Sequence, residues 1–197
     1  MKYIRNIFMM VGLLVVFGIG MVFVKYDLSK MDTKALGLYM TMADVVLTTG
    51  NTADGMIRKT KLIVHKDETR DEALENALEI LNEVAEADGL LVVKTSLMSA
   101  GGVDEKGIKQ KYVRLNSYCN PTIAKVMLNY SMSYIGFMPC GVGIIEDDNG
   151  DIWFYTLDLG LMISGGHTLP PKLLEMAEGV ANTMYTMIEK AAIGEND

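Results

Sequence analysis

The sequence predicts an α+β protein: an N-terminal transmembrane helix followed by a compact antiparallel or mixed β-sheet packed against helices. Three observations carry this. Ile7 to Val24 is a run of 18 residues without a charge. Behind it, segments with apolar residues at three- and four-residue steps are interspersed with short β-prone runs. Between two of those runs lies Asp147-Asp148-Asn149-Gly150-Asp151, whose Asn-Gly pair marks a β-hairpin.

The apolar run comes first. At about 1.5 Å per residue it spans roughly 27 Å, close to the hydrocarbon thickness of a bilayer. It ends in Met21-Val22-Phe23-Val24-Lys25-Tyr26, which offers no small-x-small cleavage site. Residues 1–28 therefore read as a retained signal anchor, with residues 7–24 in the lipid. Lys2 and Arg5 before the run nearly balance Lys25, Lys30 and Lys34 after it. The expected placement of the domain, outside the cytoplasm, rests instead on the anchor being the first hydrophobic segment.

Residues 29–52 read as a connecting amphipathic helix. Met31, Ala35, Leu38, Met42 and Val45 recur at helical steps up to residue 49, and Gly50-Asn51 stops them. The soluble domain is expected over residues 53–197. Met56 to Val64 reads as its first strand. Thr69-Arg70-Asp71-Glu72 fits a capping box, opening a helix whose buried face is Ala73, Ala77, Ile80, Leu81 and Val84 and which Gly89 ends. Leu90 to Leu97 is a second strand, Gly101 to Lys111 a polar loop, and Tyr112 to Cys119 a third strand. Asn120-Pro121 opens a short helix, with asparagine as cap and proline at the first helical position. Gly141 to Glu146 and Ile152 to Leu157 are the hairpin strands. Leu169 to Ile193 is a long last helix with Leu173, Ala177, Val180, Met184, Ile188 and Ala191 inward.

Charge narrows the function. Two of the 18 basic residues precede the apolar run and no acid does, leaving 16 bases against 25 acids, a net of −9, beyond it. Such a domain repels nucleic acid, so no nucleic-acid partner is expected. There is no Gly-x-Ser-x-Gly elbow, phosphate loop or His-Glu-x-x-His, so no standard enzyme signature is present.

The candidate chemistry centres on the two cysteines. Cys119 precedes Asn120-Pro121, and Pro139 precedes Cys140. A thiol ahead of a helix N-terminus can be stabilised as thiolate. Three readings stand side by side. A disulfide between Cys119 and Cys140 would close a loop of about 20 residues and stabilise by ~3 kcal/mol. A soft-metal or redox site would add Met138, with Met127 or Met132 nearby, for copper(I) or haem. Two unrelated buried thiols are the third. Antiparallel pairing of strands 112–119 and 141–146 would bring the cysteines to one end; parallel pairing would separate them. The 16 methionines are otherwise adaptable core filler. His167, after Gly165-Gly166, is a further metal candidate, set against an ordinary exposed loop histidine. His65 reads as solvated. Asp147, Asn149 and Asp151 imitate a calcium loop, but Ile152 occupies the position that needs glycine, so the hairpin turn is preferred.

From about Met56 to Lys190 the chain resembles the family known as domain of unknown function 302. The resemblance lies in the helix at Thr69–Asp88, in Ser117-Tyr118-Cys119-Asn120-Pro121 with Ala124, and in Phe137-Met138-Pro139-Cys140. The acidic Gly-Asp hairpin, Leu161-Met162 and Gly165-Gly166 complete it. Where the family usually has a tryptophan after the first domain helix, Gly89 is followed here by Leu90-Leu91. The resemblance implies a compact α+β domain that self-associates, no established activity, and Cys119 and Cys140 as the residues to watch.

The expected function is a membrane-anchored extracytoplasmic binding or accessory module, non-enzymatic, partnered with a membrane redox complex or with copies of itself. The alternative is a copper(I)- or haem-binding redox protein using Cys119, Cys140 and methionines.

Overall fold

The computed structural model describes residues 2–195; the outermost positions of the expected anchor and domain, 1 and 196–197, lie outside them. Helix α1 covers Lys2–Lys25. Its stretch Tyr3–Lys25 is long and apolar enough to cross a membrane, and none of it is buried against the rest of the chain.

The single helix expected over 29–49 is instead broken. A 3-10 turn at Leu28–Lys30 is followed by an irregular stretch, and α2 begins only at Ala35, running to Thr49. The cause is tertiary. The backbone at Met31 pairs as an antiparallel bridge with His167. Asp32 N–H donates to the Gly166 carbonyl at 2.9 Å, and Thr168 N–H donates to the Lys30 carbonyl at 3.0 Å. Extended pairing at 30–32 and helix cannot coexist, whatever the apolar spacing suggests.

The domain holds one five-stranded antiparallel sheet, ordered β1-β5-β4-β3-β2. Strand β1 is Ile57–Lys61, shorter than expected at both ends. Helix α3 spans Arg70–Ala87 and starts with the expected capping box. Thr69 N–H donates to Glu72 Oε2 at 2.7 Å, and Glu72 N–H donates to Thr69 Oγ1 at 3.3 Å. The Thr69 backbone N–H, and after it the Thr69 hydroxyl donating to Glu72 Oε2 at 2.8 Å, hold the Glu72 carboxyl below its ordinary range.

Strands β2 (Leu91–Val103) and β3 (Lys109–Cys119) form a long hairpin. The loop expected at 101–111 is therefore mostly strand. The ladder carries on through Gly102 opposite Gln110 and Val103 opposite Lys109. The real turn is 104–108. It is closed by the Asp104 carboxylate, which accepts from Lys106 N–H at 2.9 Å and Ile108 N–H at 2.8 Å. Glycine and polar residues point to a loop, but cross-strand hydrogen bonds extend the ladder through them.

Helix α4 (Pro121–Tyr130) leads through a 3-10 stretch at Met132–Phe137 into β4 (Cys140–Glu146) and β5 (Ile152–Leu157). The β4–β5 turn is the expected hairpin. Asp147 Oδ1 accepts from Asn149 and Asp151 N–H, and its Oδ2 accepts from Trp153 Nε1–H at 3.0 Å. A short helix α5 (Gly160–Ser164) precedes α6 (Pro171–Ile193).

Helices α3 and α6 pack on one face of the sheet. Along β4 and β5, Val142, Ile144, Ile152 and Phe154 point inward and are buried, alternating with half-exposed neighbours. From α6, Leu173, Ala177, Met184, Ile188 and Ala191 are buried as the periodicity implies, while the stripe drifts from half-buried Val180 to Ala181.

One buried carboxylate fixes the far end of this layer. Glu146 is 3% exposed, with Arg70 Nη1 at 3.2 Å and Lys109 Nζ at 3.5 Å. Burial pushes its pKa up, but the Tyr112 N–H and the two cations outweigh burial and hold it below the usual range.

Replacing Thr69 by alanine removes the α3 cap. The expected cost is about 1 kcal/mol, read as a lower urea midpoint with an unchanged slope.

Candidate functional site

The site begins where β3 ends. Asn120 Oδ1 accepts from Thr122 N–H at 3.0 Å and Ile123 N–H at 3.1 Å, capping α4, while its Nδ2–H donates to the Gly89 carbonyl at 3.0 Å. This locks the β3–α4 corner against the end of α3. Cys119 is the residue before that cap.

Strands β3 and β4 are antiparallel, and Tyr118 lies opposite Cys140. Cys119 and Cys140 therefore come to the same end of the sheet. In the structure the two sulfurs are not bonded to each other. They line one small pocket of about 40 Å³ with Met127, Met138, Met162 and Phe137. Tyr118, fully buried, closes it from the sheet side. Its hydroxyl is turned to other work, donating to Asn82 Oδ1 at 3.1 Å and accepting from Asn116 Nδ2–H at 3.2 Å.

Two thiols and three thioethers thus share an almost wholly apolar enclosure. None of the described residues lining it is charged. Burial consequently raises both thiols. Cys119 is pushed up by loss of solvent, and Cys140 is pushed up to about 11, by burial first and then by the neighbouring Cys119. The thiolate-stabilising effect expected at the α4 N-terminus is not seen. The N–H groups that would supply it, at Thr122 and Ile123, are already taken by the Asn120 side chain. Both cysteines are therefore protonated at neutral pH, and their direct use is as weak nucleophiles or, after proton loss, as soft ligands.

The nominated residues separate clearly. Cys119, Cys140, Met138 and Met127 come together. Met132 does not; it is 83% exposed. His167 does not either. It is exposed, and its backbone is paired to Met31. His65 is exposed, with Nε2 2.9 Å from the Ile193 carbonyl. Among the described residues no cluster of three or more His, Cys, Asp or Glu could hold a metal ion. Met162, Phe137 and Val180 belong to the pocket and were not nominated. Met162 lies on the five-residue α5, too short for periodicity to reveal.

Residues 66–191 match the model of the family described as domain of unknown function DUF302. The chain belongs to the DUF302 family. The match contains the whole pocket, but α1, α2 and β1 precede it, although β1 completes the DUF302 sheet. Among solved structures, the chain is similar to an uncharacterized conserved DUF302 protein from Bacillus stearothermophilus. The two are 17% identical, with a TM-score of 0.49, over 69% of this chain and 98% of that one. A search of curated proteins finds no match.

The raised thiols of this DUF302 domain make a pH prediction. At pH 8 a thiol with a pKa near 11 is about one part in a thousand thiolate. Alkylation of native Cys140 by iodoacetamide should be slow there and rise about tenfold per pH unit towards pH 11. The same shift bears on stability. Between about pH 9 and 11 the unfolded chain loses this proton while the folded chain keeps it. The contribution is whole below pH 9 and lost as pH rises towards 11. Wild type should therefore lose stability more steeply than Cys140→Ala across that window, measured by denaturant unfolding at each pH.

Proposed function

We propose that this protein is a membrane-anchored accessory module, with α1 crossing the bilayer and the DUF302 domain held outside the cytoplasm beside a membrane redox complex. One observation carries the reading. The chain is paired to the domain by Lys30, five residues after α1 ends. Lys34 Nζ reaches Glu178 of α6 at 2.9 Å, and Tyr39 Oη–H donates to the Gly165 carbonyl at 3.0 Å. A tether needed only for retention works as a flexible linker. A stitched one fixes how the domain, and its pocket, face the membrane. That geometry has a use when a neighbour in the membrane meets the domain.

Two experiments test this. Proteolysis of spheroplasts should degrade the domain, and complete protection would reverse its side. Purification in mild detergent should retain a stoichiometric membrane subunit. A strictly monomeric, partner-free protein would remove the accessory role.

A second reading is favoured by the pocket itself. Its sulfur-rich lining suits a soft monovalent ion, and copper(I) is the commonest of these. The pocket's size admits an ion or a water-sized group, not a macrocycle, so it supports copper over haem. Binding would displace the protons of Cys119 and Cys140, giving two thiolates with Met138 as a thioether ligand. Under anaerobic reducing conditions the protein should compete with a chromophoric chelator for copper(I) and release protons on binding. Cys119→Ser and Cys140→Ser should each abolish this, and Met138→Leu should weaken it. Failure of the wild-type protein to take up copper(I) would end the reading. Mass spectrometry after denaturing alkylation, with and without reductant, tells free thiols from a disulfide in the same sample.

A further inference from the structure

Helix α2 has 15 residues and one charge, Asp44. One flank is packed against the domain. Ala35 is buried. Leu38 lies so near Gly160 that a Cβ there would come within 3.1 Å of it. Met42 and Val46 crowd Gly55 more tightly still: a Cβ at Gly55 would meet the Met42 carbonyl oxygen at 2.9 Å and a Val46 methyl at 2.7 Å. The opposite flank is bare. Leu36, Met40, Ala43 and Leu47 recur at steps of four, three and four, which stacks them in one stripe. Leu36 is 70% exposed, Met40 64% and Leu47 85%. Thr41, Asp44 and Thr48 run along one side of the stripe.

We propose that α2 lies in the interface of the bilayer that α1 crosses, with Leu36, Met40 and Leu47 immersed at the level where the acyl chains begin. The inference rests on the reading of α1 as a membrane anchor and adds a second contact to it. Continuity with α1 identifies the occupant. Nine residues separate Lys25 from Ala35. Fully extended, the ten Cα steps would reach at most about 36 Å, and the 3-10 turn at 28–30 and the turn closed by Ala35 N–H on the Asp32 carbonyl shorten that reach. Helix α2 is thereby kept close to the membrane surface. It is not a second span. Fifteen residues cover roughly 22 Å, short of the hydrocarbon core, and its inner flank is occupied by the domain. The docked helix needs no polar face of its own, because the domain supplies one. The domain is acidic and α2 carries no base, so insertion is apolar rather than electrostatic.

The test uses the full chain reconstituted into phosphatidylcholine liposomes, with or without bromine on the acyl chains near the glycerol end. The single native tryptophan, Trp153, lies on the β5 side of the sheet hairpin and serves as the reference. Met40→Trp and Leu47→Trp should each add emission that loses roughly half its intensity to brominated lipid, with Thr41→Trp quenched far less and high salt without effect. Phe17→Trp, read with bromine deep in the chains, reports on the anchor separately. Quenching at Phe17→Trp with none at Met40→Trp and Leu47→Trp overturns the docking and leaves the anchor standing. Absence of quenching at all three overturns both. Quenching at α2 without Phe17→Trp removes the anchor and, with it, the inference as stated. A blue-shifted, unquenched Met40→Trp means that protein covers the stripe, and the inference fails.

Discussion

The antiparallel register of β3 on β4 governs what this domain can do. With Tyr118 opposite Cys140, the inward face of β4 is Cys140, Val142, Ile144 and Glu146, and its outward positions are Gly141, Gly143 and Ile145. A slip of one residue would turn the whole inward set to solvent. Both ends of the strand would fail together. At one end the two cysteines would part. At the other, Glu146 would lose the Tyr112 N–H, which donates to its Oε2 at 3.2 Å, and the two cations that hold it ionised. Burying a carboxylate without those partners is costly, so the register is locked by charge at one end and by close packing at the other.

The two ends of the sheet therefore contrast in electrostatics. Around Glu146 the fold supplies donors and cations, and the acid stays charged despite burial. Around Cys140 it supplies only apolar groups and sulfur, and the thiol stays neutral. An enclosure of that kind repels hard ions and water and offers polarizable ligands. Any ion that entered would have to displace protons, so its affinity would rise with pH. The same surroundings also make a stable, inert core. Tyr118, Asn116 and Asn82 already satisfy one another.

The segment that joins α1 to the domain works by a different principle. It has little core of its own, and Ala35 is its one buried hydrophobic residue. Backbone pairing with residues 166–168 fixes its path instead. Those residues precede α6, so the direction in which α1 leaves and the placement of the longest domain helix are set by one short loop. Gly165 and Gly166, which carried part of the family resemblance, belong to that loop: their carbonyls accept from Tyr39 and Asp32. Their part here is to receive the incoming chain, which places His167 at the tether rather than at the thiol pocket.

Much of this was legible in the sequence, and for local reasons. The apolar run, the Thr69 capping box, the Asn120 cap with Pro121, the Asn149-Gly150 hairpin and the α6 stripe all depend on neighbours a few residues apart. The proximity of Cys119 and Cys140 could only be posed as a condition on strand direction, since pairing partners lie tens of residues away. The break at 31–34 was hidden because helical spacing persists across it, and only contact with 166–168 overrides the spacing. The strand character of 101–111 was hidden because glycine and polar residues weaken a β signal that cross-strand hydrogen bonds alone sustain. Met162 joined the pocket through a helix of five residues, below the length at which a period can be seen. By itself the sequence determined where the capped helices start, where the Asn149-Gly150 hairpin turns and which helix faces are apolar, because those follow from short-range sterics and hydrogen bonding. Tertiary structure decided which faces met, which carboxylate stayed charged and which thiols were left neutral, because desolvation and pairing depend on residues that only folding brings together.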